Sequence, residues 1–316
     1  MAPKPPEVIG RATAPAGARK PFTTARLKRQ VLRARLALRK PTDHLRMLPD
    51  FLIIGTQRGG TSSLFKYLGR HPCVAPSLRK EVEYFSSGFA YGEQWYRSHF
   101  PFRLRGEYAR RVRGRDLLAF EASPYYLFHP HAAARTAKLL PEAKIIVLLR
   151  EPVSRAVSHY HHNVRLGLEP LPLEEAIWLE PVRLAGEEER MLEDPLYDSR
   201  PHRRFSYAAR GRYADQLATW MAHFPRDQIL MIQSEDFFSR PAQVYAEVLG
   251  VLGLPAWEPP EFRNYSYRKG RKTATPAIRE SGRARLAEQF APYNARLYAL
   301  LGRDLGWEAG KAGGVE

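Results

Sequence analysis

Cysteine is nearly absent: Cys73 is the only one in 316 residues. With nothing to pair, an internal disulfide framework is excluded, and so is a metal site built on thiolates. Long apolar runs are missing too. No stretch approaches the roughly 20 residues that a membrane-spanning helix needs, and the first residues lack the apolar core of a secretory signal. The chain therefore reads as soluble and cytoplasmic. Acid is the minority charge, 33 residues against 50 lysines and arginines. The resulting net +17 calls for an anion, whether nucleic acid, a lipid headgroup, or a ligand bearing phosphate or sulfate.

That charge is unevenly spread. Residues 1–48 hold 12 basic residues against Glu7 and Asp43, net +10, and the other 268 residues carry only +7. The first 22 residues are rich in Pro, Ala and Gly without apolar periodicity, a composition expected to stay disordered. Over 23–40 the pattern changes: Leu27, Val31, Ala34 and Leu38 fall on one face of a helix whose other faces carry Arg and Lys. Such a helix either lies against the domain or makes a peripheral contact with an anionic surface, membrane or nucleic acid. The chain thus divides into a basic extension (1–48), one globular domain (49–308) and a short tail (309–316), with no internal repeats.

The domain opens with residues 50–55, a short apolar run ending in glycine that reads as a buried strand. Residues 144–149 (KIIVLL) and 228–233 form two more, and each is followed by an amphipathic helical stretch, 153–166 and 241–252. Apolar strands alternating with helices predict a three-layer α/β fold, a mostly parallel central sheet with helices on both faces. The acidic, proline-rich stretch 166–210 reads as an insertion over the sheet rather than a second core, and 281–301 as a closing helix.

The first strand runs into Gly55-Thr56-Gln57-Arg58-Gly59-Gly60-Thr61-Ser62-Ser63, a glycine-rich turn at a helix start. Backbone N–H groups converge there on an anion, usually phosphate, and glycine allows the close approach. Gly55 and Gly60 have the spacing of the nucleotide triphosphatase loop, but Thr61 stands where that loop needs lysine, and the cation, Arg58, sits inside the turn. That departure argues against a P-loop kinase.

Here the chain resembles the sulfotransferases that use 3′-phosphoadenosine 5′-phosphosulfate (PAPS), from about residue 49 to 307. Their first signature, a strand and a [KR]-x-G-T-[ST] loop around the phosphosulfate, is matched by Arg58, Gly59, Gly60, Thr61 and Ser62. Their second, an arginine after a strand with a serine eight positions on, holds the 3′-phosphate and is matched by Arg150 and Ser158. Lys269-Gly270-Arg271-Lys272-Thr273 resembles the basic loop that closes over PAPS in the heparan-sulfate branch, and Gly302 to Trp307 that branch's C-terminal ending.

The resemblance implies sulfuryl transfer to a carbohydrate or glycosylated acceptor, at oxygen rather than nitrogen, with PAPS as co-substrate and no metal. It implies Glu81, in Lys80-Glu81-Val82-Glu83-Tyr84-Phe85, as the general base, with Glu83 the rival. Arg58 takes the place of a common lysine; with a pKa above about 12 an arginine stabilises leaving-group charge but hardly donates a proton. Glu121-Ala122-Ser123-Pro124-Tyr125-Tyr126 resembles a segment lining the acceptor cleft. In the 3-O-sulfotransferase pattern a histidine stands where this chain has Glu83. His159, His161 and His162 lack a completing carboxylate pattern for a metal. A basic nucleic-acid-binding protein remains the non-enzymatic alternative.

Overall fold

The computed structural model describes residues 24–265 and 280–307. Five strands form one sheet: β1 (Phe51–Gly55), β2 (Val74–Pro76), β3 (Leu118–Ala122), β4 (Lys144–Leu149) and β5 (Ile229–Gln233), in the order β2-β3-β1-β4-β5. Every pairing is parallel, with Phe51 beside both Phe120 and Lys144. The helices are α1 (Thr24–Arg39), α2 (Thr61–Leu68), α3 (Gly92–Arg97), α4 (Arg103–Arg113), α5 (Ala132–Leu139), α6 (Pro152–Arg165) and α7 (Leu173–Trp178). They continue as α8 (Glu180–Leu184), α9 (Glu187–Glu193), α10 (Arg200–Arg204), α11 (Tyr213–Met221), α12 (Ser234–Ser239), α13 (Pro241–Val251) and α14 (Glu280–Leu301).

Alternation along the central strands sends neighbouring side chains to opposite faces. Leu52, Ile54, Ile145 and Val147 meet Leu217 and Trp220 of α11 and Leu297 of α14. Phe51, Ile53, Ile146 and Leu148 meet Leu64 and Leu68 of α2 and Val244, Tyr245 and Val248 of α13. Both faces are covered, so the central strands are almost wholly apolar, which is what made β1, β4 and β5 readable. The sequence did not announce β2, only three residues long, or β3, whose run Leu-Ala-Phe-Glu-Ala is broken by a carboxylate.

From β1 the chain turns to one side of the sheet for β2 and β3, then crosses to the other side for β4 and β5. The crevice at the C-terminal ends of β1 and β4 is therefore the topological switch point, where open α/β sheets bind ligands. Both anion-binding signatures leave the sheet there. Glu151 caps α6, its carboxylate accepting from the Val153 and Ser154 amides at 2.7 Å each, while Pro152 occupies the first turn.

The insertion forms the short helices α7 to α10, which pack on α6 through a small cluster of Tyr160, Leu173, Ala176 and Tyr207. Glu180 pins it by accepting from the Ala208 and Ala209 amides at 2.6 and 2.8 Å. Helix α1 departs from one expectation: its apolar stripe does not lie against the domain. Leu27, Val31 and Leu38 are 57, 50 and 81% exposed.

Buried histidines set an acid limit on the fold. Burial lowers His99 to about 4, His202 to about 3 and His129 to about 2. Unfolding lets each bind a proton near its ordinary pKa of 6.5, so stability holds above that value and is lost as pH falls below it. Thermal denaturation between pH 7 and about pH 4.5 should show a falling Tm, with each histidine contributing on the order of 2 kcal/mol.

Candidate active site

The glycine-rich turn is built for backbone exposure. Gly60 has φ 99°, and a Cβ on it would lie 2.9 Å from the Phe238 ring. A Cβ on Gly59 would lie 2.9 Å from the Leu148 carbonyl oxygen, and the Gly59 carbonyl accepts from Ser234 Oγ at 2.8 Å. The loop is thus clamped between β4 and α12. Thr61 and Ser62 open α2, and no side chain caps this helix N-terminus, which keeps its positive end available to an anion.

The two signatures, about 90 residues apart in sequence, meet in space. Arg58 Nε donates to Ser158 Oγ at 3.0 Å, and Arg150 Nη1 donates to the Arg58 carbonyl at 3.0 Å. Tyr213 Oη donates to the Arg150 carbonyl at 2.8 Å. Two residues earlier, Gly211 lets α14 pack closely on this segment: a Cβ there would strike the Phe290 ring at 2.6 Å. Burial, then the like charges of Arg165 and Arg150, bring the Arg58 guanidinium down to about 10. Neither Arg58 nor Arg150 pairs with a carboxylate among the described residues. A half-buried cluster of cations with no direct ion pair, on which Glu81, Glu235 and Glu151 act only through space, is a site for an anion with more than one charged group.

Glu81 stands on the opposite wall, close enough to Arg58 for its charge to favour the guanidinium. Burial favours its neutral form, but Lys80, with Nζ 2.7 Å from Oε1, and then His162 and Arg79 outweigh that and hold the carboxyl below its ordinary range. Glu83 accepts from Ser87 Oγ at 2.9 Å and lies 3.8 Å from Arg203. Arg58, Glu81 and Glu83 have φ of 74, 61 and 59°, the only left-handed non-glycine residues among those described. Such backbone carries strain on the order of 1 kcal/mol each and persists where surrounding contacts enforce it.

Those contacts come from the end of β3. Glu121 is fully buried and accepts from Tyr96 Oη, Ser123 Oγ and Tyr126 Oη at 2.7 to 2.9 Å. Ser123 Oγ in turn accepts from the Glu83 amide at 3.0 Å, and the Ala122 carbonyl accepts from the Glu81 amide at 2.9 Å. The segment expected to line the acceptor cleft is therefore core: Glu121 cannot touch a substrate, and Tyr125 and Tyr126 are buried. Its role is to hold the Glu81–Glu83 turn.

Sequence reasoning missed several neighbours. His162 lies one helical turn beyond Ser158 on α6, and Arg165 a further three residues on, so the three share a face. Burial, with Arg58 and Arg165, lowers the His162 pKa and keeps its imidazole neutral at pH 7. Arg210, almost fully buried, donates to Gln57 Oε1 at 2.7 Å and stacks over Tyr125, tying the glycine-rich turn to the insertion. The i, i+4 spacing from Ser158 could have exposed His162; nothing local pointed to Arg210. Lys269, Gly270, Arg271, Lys272 and Thr273 lie outside the described residues. Among the described residues no group of three or more His, Cys, Asp or Glu gathers to hold a metal ion.

A model of the sulfotransferase domain matches residues 48–272, which contain both signatures and Glu81. The chain belongs to the sulfotransferase domain family. A solved sulfotransferase from Alicyclobacillus acidocaldarius is 32% identical, with a TM-score of 0.60, covering 83% of this chain and 99% of that one. The membrane-associated sulfotransferase kil1 of Dictyostelium discoideum is 28% identical over 83% of this chain and 67% of its own length. Mouse heparan sulfate glucosamine 3-O-sulfotransferase 3B1 is also 28% identical, over 83% of this chain and 66% of its own. The chain thus spans about two thirds of the length of these curated relatives.

Within this sulfotransferase domain, Ser123→Ala should unseat the Glu83 turn and leave the buried Glu121 carboxylate one donor short. Denaturant titration should show a loss of about 1–3 kcal/mol.

Proposed function

We propose that this sulfotransferase moves the sulfuryl group of PAPS to a hydroxyl of a carbohydrate acceptor, with an amine the lesser alternative. The observation that carries the reading is the junction of Arg58, Ser158 and Arg150 at the crevice between β1 and β4. The residues fit a donor with two separate anionic groups: the uncapped N-terminus of α2 with Arg58, Gly59, Gly60, Thr61 and Ser62 for one, Arg150 and Ser158 for the other. Bound there, PAPS supplies an activated sulfur whose leaving group is adenosine 3′,5′-bisphosphate.

Glu81, ionised because Lys80 and its cationic neighbours hold its pKa down, takes the proton from the acceptor hydroxyl as the oxygen forms its bond to sulfur. Arg58 stabilises the negative charge that builds on the bridging oxygen as the sulfur–oxygen bond to the nucleotide breaks. Because it keeps its proton at neutral pH, its help is electrostatic. The relatives named for heparan sulfate support a glycan acceptor. Arg79, Lys80, Arg165 and Arg204, whose charges act on Glu81 and His162, suit one that is itself acidic. Glu83, where the 3-O-sulfotransferase pattern has histidine, points to a different choice of hydroxyl. Thr61 in the lysine position of the triphosphatase loop speaks against a kinase. The same proposal places α1, with six basic residues and no acid, against an anionic surface.

Adenosine 3′,5′-bisphosphate should raise the Tm by several degrees while ATP with Mg²⁺ and AMP do not. Arg58→Ala should abolish that shift. Glu81→Gln should keep it and lose turnover by about 10²–10⁴-fold; an active Glu81→Gln enzyme would remove Glu81 from the role of base. With the Glu81 pKa depressed, the rate should stay flat down through neutral pH and fall only below the ordinary carboxylate range.

A further inference from the structure

Helix α4 repeats, inside the globular domain, the chemistry of α1. It rests on the body of the protein by its small residues, with Met47 packed 3.7 Å from where a Cβ on Gly106 would stand. Its large apolar residues point away: Leu104, Tyr108 and Val112, at i, i+4 and i+8, are 70, 58 and 62% exposed. Arginines 103, 105, 110 and 111 flank the stripe, with Glu107 the one acidic residue of the helix. On α1, Leu27, Val31 and Leu38 are exposed in a helix whose sequence carries six basic residues and no acidic one.

The two helices are joined into one surface. Arg46, after α1, is buried and donates to the Phe100 carbonyl at 3.1 Å, pairs by a β-bridge with Phe102, and accepts at its own carbonyl from Arg103 Nε at 3.1 Å. A shallow cleft of about 400 Å³, lined by Leu38, Arg39, Phe102 and Arg105, runs between α1 and the start of α4.

We propose that α1 and α4 together form a membrane-surface dock that takes an anionic bilayer, with Leu27, Val31, Leu38, Leu104, Tyr108 and Val112 entering the headgroup boundary and the arginines pairing with lipid phosphates. This rests on the α1 contact proposed above and extends it to the catalytic domain. Charge selects the occupant. A second copy docked through the same face would bring arginine against arginine, and residues 1–23 carry Lys4, Arg11, Arg19 and Lys20 against Glu7, the wrong sign to cover the face. A nucleic acid or glycan would satisfy the arginines but gain nothing from exposed Leu and Val. An anionic lipid surface satisfies both at once. No helix among the described residues is long and apolar enough to cross a membrane, so the contact is peripheral.

Cosedimentation of the full chain with phosphatidylcholine vesicles, with and without phosphatidylserine, tests the proposal. Binding is expected only with phosphatidylserine and should weaken as salt rises. The variant Leu104→Ser/Val112→Ser should lose at least about tenfold in affinity with its Tm unchanged, since both side chains are exposed. If that variant binds as the wild type does while Leu27→Ser/Val31→Ser/Leu38→Ser does not, the dock on α4 is overturned and the α1 contact stands. Equal binding to neutral vesicles overturns both. So does a wild type that is dimeric by light scattering and becomes monomeric in the α4 variant, which would make the face an interface between copies.

Discussion

The Arg58 side chain is the hinge on which the site turns. Its Nε reaches Ser158 on α6 while its carbonyl accepts from Arg150, so one residue in a left-handed conformation joins the loop after β1 to the loop and helix after β4. Holding that guanidinium beside Arg150 and Arg165 with no carboxylate partner is unfavourable in the ligand-free protein, and an anion relieves it. The surrounding architecture serves this placement: Gly59 and Gly60 let the loop press against Leu148 and Phe238, and Tyr213 fixes the Arg150 backbone from the far side.

The opposite wall is held by a buried carboxylate. Glu121 spends its charge on three hydroxyls inside the core, and through Ser123 that network reaches the strained turn carrying Glu81 and Glu83. Glu81, the proposed base, and the anion cradle are therefore fixed to neighbouring strands of one sheet, β3 and β1. Strain at Arg58, Glu81 and Glu83 is tolerated because packing and hydrogen bonds on either side leave the backbone no other path.

Charge acts at two ranges. At the crevice, cations a few ångströms apart tune Glu81 downward and keep His162 neutral. At the periphery, α1 and α4 combine basic residues with exposed apolar stripes, and the proposed membrane contact rests on that combination rather than on the chemistry of the crevice.

Much of the site was legible in the chain itself. The apolar runs of β1, β4 and β5 and the glycines and Arg58 of the loop are local patterns, because a strand buried on both faces and a turn built on backbone amides must write themselves into adjacent residues, whereas Arg150 and Ser158 stood out only through the family resemblance. Glu121 misled, since a carboxylate in a motif looks like a functional group until its three hydroxyl partners, from α3, from the end of β3 and from the segment leading to α5, are seen around it. The outward turn of α1, the reach of Arg210 to Gln57 across 153 positions and the meeting of His162 with Glu81 depend on residues far apart in the chain. Periodicity says that a helix has an apolar face; only the packed structure decides which way that face turns.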